Sequence, residues 1–150
     1  MRNLVWILIL LFLNSCGYTA LYKNNENHNI DIEIVDMSGD EHMNRLVKFE
    51  LENYFDIKNN DRFMLSINNN YQKDVSTKDT TGKPEEFRLS LITNLNIVKN
   101  EKQHNATFNE SFKLKNSSDK FELNNYENII KENFARSTKD KIILKLMSLK

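Results

Sequence analysis

The clearest reactive group in the sequence is the thiol of Cys16, the only cysteine among 150 residues. A lone cysteine cannot form a disulfide within its own chain, so another use of the thiol is expected. Ten apolar residues, Leu4 to Leu13, come just before it, and Arg2 is the only charge ahead of them. A positive start, a short apolar run and small residues before a cleavage point are typical of an export signal. The run is also shorter than the roughly 18 residues expected of a membrane-spanning helix.

The residues around Cys16 indicate what its thiol becomes. Leu13-Asn14-Ser15-Cys16 is similar to a lipobox, where bacterial signal peptidase II cleaves before a cysteine that carries acyl chains. We therefore expect a signal peptide over residues 1–15 and a lipidated tether over 16–29, with acyl chains on Cys16 and no cofactor. A plain secretory signal with a cysteine near its end is the alternative. Gly17 replaces the Asp that retains lipoproteins in the inner membrane of enteric bacteria, which favours the periplasmic face of the outer membrane.

The rest of the chain carries no pattern typical of catalysis. His28, His42 and His104 are dispersed, and none has a His or Cys neighbour at the spacing of metal ligands, so we expect no metal site. There is no glycine-rich phosphate loop and no strained nucleophile motif. The 21 basic and 21 acidic residues become 20 and 21 once Arg2 is removed, which leaves a net charge near −1 and no field to attract nucleic acid. These observations predict a binding or scaffolding role and not an enzyme.

The apolar pattern of residues 30–150 predicts one small domain. Ile30, Ile32 and Ile34 alternate as in a half-buried strand. The turn Ser38-Gly39-Asp40 can cap a helix, which a stripe of apolar residues at spacings of three and four then predicts from Met43 to Phe55.

The second half of the domain is predicted to be three strands and a helix. A second strand carries Phe63, Leu65 and Ile67 on one face, and a third runs from Phe87 to Val98 with strong alternation. Residues 73–86 lack apolar periodicity and predict a long mobile loop, of the kind that is often functional. A fourth strand with Ala106, Phe108, Phe112 and Leu114 on one face, Glu110 being the outlier, completes an antiparallel hairpin.

The C-terminal segment is predicted to be a helix from Tyr126 to Leu149, capped by Asn124 or Asn125. The order is therefore β-α-β-β-β-α. Because each element has one apolar face, we expect an α+β two-layer sandwich, with two helices packed on one face of a four-stranded mixed or antiparallel sheet.

This layout resembles the LPS-assembly lipoprotein family, LptE, and especially its alphaproteobacterial branch. The start Cys16–Tyr22 is similar to the family pattern C-G-aromatic-x-P-L-Y, with Ala20 where Pro is usual. The element order, the alternating strand Phe87–Val98 with its partner around Ala106-Thr107-Phe108, and the closing helix with Tyr126, Phe134-Ala135 and Lys139-Asp140 are also similar.

The resemblance implies a lipoprotein that plugs the large outer-membrane barrel LptD, assists its assembly and helps to insert lipopolysaccharide into the outer leaflet. The implied partners are an LptD-like barrel, lipopolysaccharide and the membrane that holds the anchor. A pilotin-like or transporter-accessory lipoprotein is the alternative, and a soluble lipid carrier is a third class that would need a deep apolar cavity.

Two sets of residues follow as site predictions. The sheet face away from the helices is expected to contact the barrel wall through Ile92, Asn94 and Val98, because two of these are apolar where a solvated face should be polar. Lipopolysaccharide carries phosphates, for which a binder needs basic side chains. The basic residues expected on the same outward face are Arg62, Arg88, Lys113 and Lys115.

Overall fold

The computed structural model describes residues 30–57 and 62–150. The signal peptide over 1–15, Cys16 and the tether over 16–29 lie outside the described residues, and these predictions stand as they were made. The described elements, in chain order, are β1 (Asp31–Gly39), α1 (Glu41–Leu51) with a 3₁₀ turn (Glu52–Tyr54), β2 (Arg62–Lys78), β3 (Pro84–Lys99), β4 (Lys102–Lys115) and α2 (Lys120–Met147).

The four strands form one mixed sheet in the order β1-β2-β3-β4. β1 pairs with β2 in parallel, whereas β2 with β3 and β3 with β4 are antiparallel. Both helices lie on one face of this sheet, so the predicted α+β two-layer sandwich and its element order are confirmed. The side chains that fill the layer between helices and sheet include Phe63, Leu65, Ile67, Leu89, Leu91, Leu95, Ile97, Met43, Val47, Leu51, Phe134, Ile142 and Leu146.

The corner between β1 and α1 is held against the middle of β2. Gly39 has a φ of +90°, and a Cβ there would lie 2.0 Å from the backbone oxygen of Asn69. The next residue, Asp40, donates its amide to that same oxygen at 2.7 Å, while its carboxylate accepts from the amide of Met43 at 2.8 Å and caps the helix. The predicted helix cap is therefore confirmed at Asp40, whereas Ser38 and Gly39 end β1 and still pair with β2, and only glycine fits at position 39.

A buried polar network lies beneath this corner. Asn69 is fully buried, its amide donates to Asn44 Oδ1 at 2.9 Å, and its side-chain oxygen accepts from Thr93 Oγ1 at 2.7 Å. Both polar atoms of that side chain thus have a partner, as a buried amide requires.

The predicted mobile loop over 73–86 is wrong. β2 continues to Lys78 and β3 begins at Pro84, so only residues 79–83 form a turn. The carboxylate of Asp79 accepts from the hydroxyl of Thr81 and from the amides of Lys83 and Thr81, and these bonds lower its pKa. Apolar alternation is missing here because residues 72–88, which we call the hairpin arm, extend past the helices and are largely exposed on both faces.

The predicted cap of α2 is also wrong, because the helix begins earlier. Its N-cap is Asp119, whose carboxylate accepts from the amides of Phe121 and Glu122. Asn124 and Asn125 lie within the helix.

Glu110, which interrupts the apolar series on the inward face of β4, has a structural role. Glu110 points toward the helices, where it accepts from Lys141 Nζ at 2.5 Å and Ser137 Oγ at 2.8 Å and fastens the middle of α2 to β4.

Candidate functional site

The sheet surface away from the helices, which we call the outer face, carries two rows of small polar side chains across all four strands. Ser38, Asn68, Asn94 and Thr107 occupy successive register positions in one row. Asn68 Nδ2 donates to Ser38 Oγ at 2.9 Å, and Thr107 Oγ1 donates to Asn94 Oδ1 at 3.0 Å. This row thus presents hydrogen-bonding groups without charge across the middle of the surface.

The second row lies beside the first and consists of Asp36, Ser66, Asn96 and Asn105. The two rows line a shallow cleft of about 360 Å³. The Oδ1 atom of Asn96 is buried and has no hydrogen-bond partner within the described ranges 30–57 and 62–150. An amide oxygen in this state can accept from a donor that a partner brings to the cleft.

The three predicted barrel contacts all lie on the outer face. Asn94 lies in the first polar row. Ile92 is two residues before it on β3 and is 39% exposed, and Val98 is half-buried near the C-terminal end of β3. The structure adds Met64, which lies opposite Val98 on β2 and is 40% exposed. Sequence reasoning missed Met64 because it identified β2 from the inward residues Phe63, Leu65 and Ile67 and did not consider the outward ones.

The four predicted basic residues share the outer face but not one site. Arg88 and Lys113 are direct cross-strand neighbours, and Lys115 lies two residues along β4, opposite Glu86. Arg62 lies at the other end of the sheet. Arg88 pairs with Asp74, which is twelve residues after Arg62 on β2, so Arg62 and Arg88 are about 40 Å apart at the usual rise of a strand.

Arg62 has its own acidic partners at that distant end. Its Nε lies 2.8 Å from Asp31 Oδ2 and its Nη1 lies 3.3 Å from Glu33 Oε2. The hydrogen bond and charge of Asp31, followed by Glu33, raise the pKa of the guanidinium. Arg62 is thus a member of an ion-paired corner and separate from Arg88, Lys113 and Lys115.

A second cleft, lined by lysines, lies where the hairpin arm meets the start of α2. It has a volume of about 360 Å³, and Lys83, Lys115 and Lys120 line it together with Asp79 and Glu85. Together with Arg88 and Lys113, these three lysines form what we call the basic end of the molecule. Sequence reasoning did not join Lys83 and Lys120 to the other basic residues, because Lys83 lay in the predicted loop and Lys120 lay before the predicted start of the last helix.

An ionic cluster fastens the start of α2 to the base of the hairpin arm. Glu127 accepts from Tyr71 Oη at 3.0 Å, Lys73 Nζ at 2.6 Å and Lys131 Nζ at 2.9 Å. The two ammonium groups also lie over rings, Lys73 over Phe87 and Lys131 over Tyr71.

The pKa values of this cluster reflect the same contacts. Burial alone would raise the pKa of Glu127, but the bonds from Lys73, Lys131 and Tyr71 outweigh it and lower its pKa to about 2. Burial, together with the bond to Glu127, raises the pKa of the Tyr71 phenol.

Within residues 30–57 and 62–150, no three His, Cys, Asp or Glu side chains come together in a way that could hold a metal ion. In the same part of the chain, neither helix combines the length and the apolar character that crossing a bilayer requires.

Comparison with known proteins shows likeness of fold and not of sequence. No protein-family model matches the chain, and no curated protein matches it significantly. Rare lipoprotein B from Shewanella oneidensis superposes with a TM-score of 0.57 at 14% identity, over 79% of this chain and 93% of that one. A protein of Caulobacter crescentus named as a lipoprotein gives a TM-score of 0.57 at 13% identity, over 82% and 90%. Lipoprotein B from Nitrosomonas europaea gives 0.52 at 7% identity, over 75% and 82%.

These three structures share their architecture with the described domain over most of their length. At such low identity the likeness shows the fold alone. The domain therefore has a fold that occurs in bacterial lipoproteins, and what it binds has to be argued from its surfaces.

Proposed function

We propose that this chain is an outer-membrane lipoprotein of the LptE type, anchored by acyl chains on Cys16. It plugs an LptD-like barrel, assists the assembly of that barrel and helps to insert lipopolysaccharide into the outer leaflet. Two independent lines support the proposal. The sequence around Cys16 is similar to a lipobox, and the fold is one that rare lipoprotein B also has.

The observation that carries the proposal is the contrast between the two faces of the sheet. Both helices cover one face, whereas the outer face is uncovered across four strands and carries amides and hydroxyls at its centre. The lumen of a transmembrane barrel is lined by polar side chains. A broad surface whose first polar row offers hydrogen bonds without charge complements such a lumen, and Asp36 is the one charged residue among the eight that form the two rows.

The contact with a barrel can be tested by photo-crosslinking in cells. A photoreactive residue at Asn94, in the middle of the outer face, is expected to form an adduct with a barrel protein of several hundred residues. The control is the same residue at Phe49, which is 68% exposed on α1, on the helical side. Failure of Asn94 to form the adduct, or an adduct with a different protein such as a secretin or a transporter, would refute the LptD assignment.

The basic end is the proposed site for the phosphates of lipopolysaccharide. Arg88 and Lys113 are adjacent across β3 and β4, and the lysine-lined cleft lies beyond them at the same end of the molecule. Arginine and lysine are the usual partners of phosphate groups, and several together are needed to hold a polyanion. Arg62 is excluded from this site by its distance from it, and Lys113 within the site also has an acidic neighbour, Glu86, whose Oε1 lies 3.6 Å from its Nζ.

This site predicts that the double variant Arg88→Glu, Lys113→Glu binds purified lipopolysaccharide at least about tenfold more weakly, since two charge-assisted contacts are reversed. The matched control is Arg45→Glu, Lys48→Glu on the exposed side of α1, which makes the same change in net charge. Equal losses in both variants would mean that net charge and not a site governs binding.

The anchor has its own test. The mature protein from membranes is expected to begin at Cys16 and to carry a mass increment of acyl chains, whereas Cys16→Ser should remain uncleaved. A mature chain that begins elsewhere with a free thiol would overturn the lipoprotein assignment.

A further inference from the structure

The last turns of α2 have an exposed apolar surface. Leu144 and Met147 are 66% and 46% exposed and lie three residues apart, so they share one side of the helix. The residues between and beside them, Ile142, Ile143 and Leu146, are buried and pack into the core. The exposed pair therefore faces away from the sheet, and no part of the described ranges 30–57 and 62–150 covers it.

Lysines lie around this apolar pair. Lys145 and Lys150 belong to the same end of α2, and neither side chain has an ion-pair partner among residues 30–57 and 62–150. Lys102 is exposed on the adjacent end of the sheet, where it pairs with Lys99. We call the two apolar residues together with Lys102, Lys145 and Lys150 the terminal patch.

The acidic residues near the terminal patch do not balance its lysines. Glu101 is exposed in the turn between β3 and β4. Asp140 lies one turn before Leu144, but the Nζ of Lys139 is 2.6 Å from its Oδ1. The terminal patch therefore combines an apolar surface with an excess of positive charge.

The chain enters the domain at the same end of the molecule as the terminal patch. Ile32, near the start of β1, pairs with Phe63. The Nζ of Lys99 lies 4.8 Å from the centre of the Phe63 ring. The same Nζ donates to the backbone oxygen of Leu149 at 3.3 Å. Lys99 thus joins the start of β1 to the end of α2.

The number of residues before β1 limits how far this end can be from the proposed anchor. Ile30 is 14 residues after Cys16, and a chain of that length spans at most about 50 Å. The turn of the hairpin arm lies roughly 50 Å further away, because β2 has 17 residues from Arg62 to Lys78. Phe121 and Tyr126 are also exposed, but Phe121 is about 35 Å from the terminal patch, toward the arm. The terminal patch is therefore the exposed apolar surface of α2 that lies nearest to the anchored end.

We propose that the terminal patch docks on the phospholipid surface that holds the anchor. Leu144 and Met147 enter the boundary between headgroups and acyl chains, and the lysines contact lipid phosphates. Apolar side chains next to lysines are typical of a helix at a membrane interface, where the lysine stems follow the apolar surface and the ammonium groups stay with the headgroups. The inference rests on the proposed anchor at Cys16 but not on the barrel or on lipopolysaccharide.

The docking can be measured by fluorescence in vesicles. The acylated protein, purified from membranes, carries a nitrobenzoxadiazole label on Ser148→Cys, while an acylated Cys16 cannot react with the label. It is reconstituted in vesicles of phosphatidylethanolamine and phosphatidylglycerol that contain a nitroxide-bearing phospholipid. We expect the label at position 148 to be quenched at least about twofold more than a label on Thr80→Cys in the turn of the arm. Replacing phosphatidylglycerol with phosphatidylcholine should weaken the quenching, because the lysines lose their anionic partners.

Two double variants, both labelled at position 148, separate docking from simple tethering. Leu144→Ser with Met147→Ser should reduce the quenching about threefold or more, since the terminal patch loses its apolar pair. Phe121→Ser with Tyr126→Ser removes a pair that is 81% and 53% exposed at the other end of the same helix, and it should leave the quenching unchanged. Quenching that survives the first variant, or equal losses in both, would overturn the docking when mass spectrometry finds acyl chains on Cys16. A protein without acyl chains, which takes label on Cys16 as well, would overturn the anchor and this inference together.

Discussion

The two halves of the β2–β3 hairpin differ in what lies over them. From Phe63 to Tyr71 and from Leu89 to Ile97 the strands alternate between buried and exposed residues beneath the two helices. In the hairpin arm, the same two strands continue with six of the seven residues from 72 to 78 exposed. Cross-strand pairing runs through both halves, so hydrogen bonding and not burial keeps the arm extended. Since burial supplies most of the free energy of folding, we expect the covered half to determine the stability of the domain.

The largest effect is expected at Gly39, which lies against Asn69 of the covered half, and the comparison is with Gly82 in the turn of the arm. Gly39→Ala forces a Cβ against the backbone of Asn69 at a positive φ and should lower the free energy of unfolding by roughly 4 kcal/mol or more. Gly82→Ala in the turn of the arm has a φ of +84° but no atom within 4 Å, so the strain alone should cost about 1 kcal/mol. Urea unfolding measures both variants. Similar losses would show that the arm and the covered half are equally constrained.

The next effect concerns the buried amide of the covered half. Asn69→Ala leaves the hydroxyl of Thr93 and the side-chain oxygen of Asn44 without their partner and should lower the free energy of unfolding by about 2–3 kcal/mol. Asn70→Ala, the neighbouring residue on the exposed face, should change it by less than about 0.5 kcal/mol. A small loss at position 69 would mean that the network is dispensable.

A smaller effect is expected where the two halves meet. Glu127→Gln removes the charge that Lys73 and Lys131 share and should lower the free energy of unfolding by about 1–2 kcal/mol at pH 7. Because folding lowers the pKa of Glu127 from 4.5 to about 2, its contribution is complete above pH 4.5 and is lost as the pH falls through 2. The difference between the wild type and the variant should therefore shrink across that interval, whereas Glu132→Gln, an exposed change on the same helix, should show no such trend.

The covered half is also the part of the fold that the sequence reveals. Alternation from Leu89 to Ile97 identifies most of β3 because every second side chain there is buried under a helix. The same criterion fails for the arm, where both faces are largely exposed and the pattern of a strand cannot be told from that of a loop. Asn69 also escaped notice, since a buried amide interrupts the apolar series and acquires its partners only from α1 and β3.

The candidate site could be predicted in part. Alternation correctly assigned Arg62, Arg88, Lys113 and Lys115 to the outer face, because side chains of a strand alternate strictly between faces. It could not show that Arg62 lies at the opposite end, since that depends on how far β2 extends before it turns. The lysine-lined cleft joins residues of the turn, β4 and α2, so it exists only after folding.

The parallel pairing of β1 with β2 has a consequence for the order of assembly. β2, β3 and β4 are joined by short turns and can associate through contacts close in sequence, which form quickly. β1 reaches β2 only after α1 has been laid across the sheet, because parallel neighbours require a crossover. We therefore expect that, during synthesis from the N-terminus, β1 emerges first but joins the sheet last. It can pair with β2 only once Asn69 has been made, because the corner at Gly39 packs against the backbone of that residue.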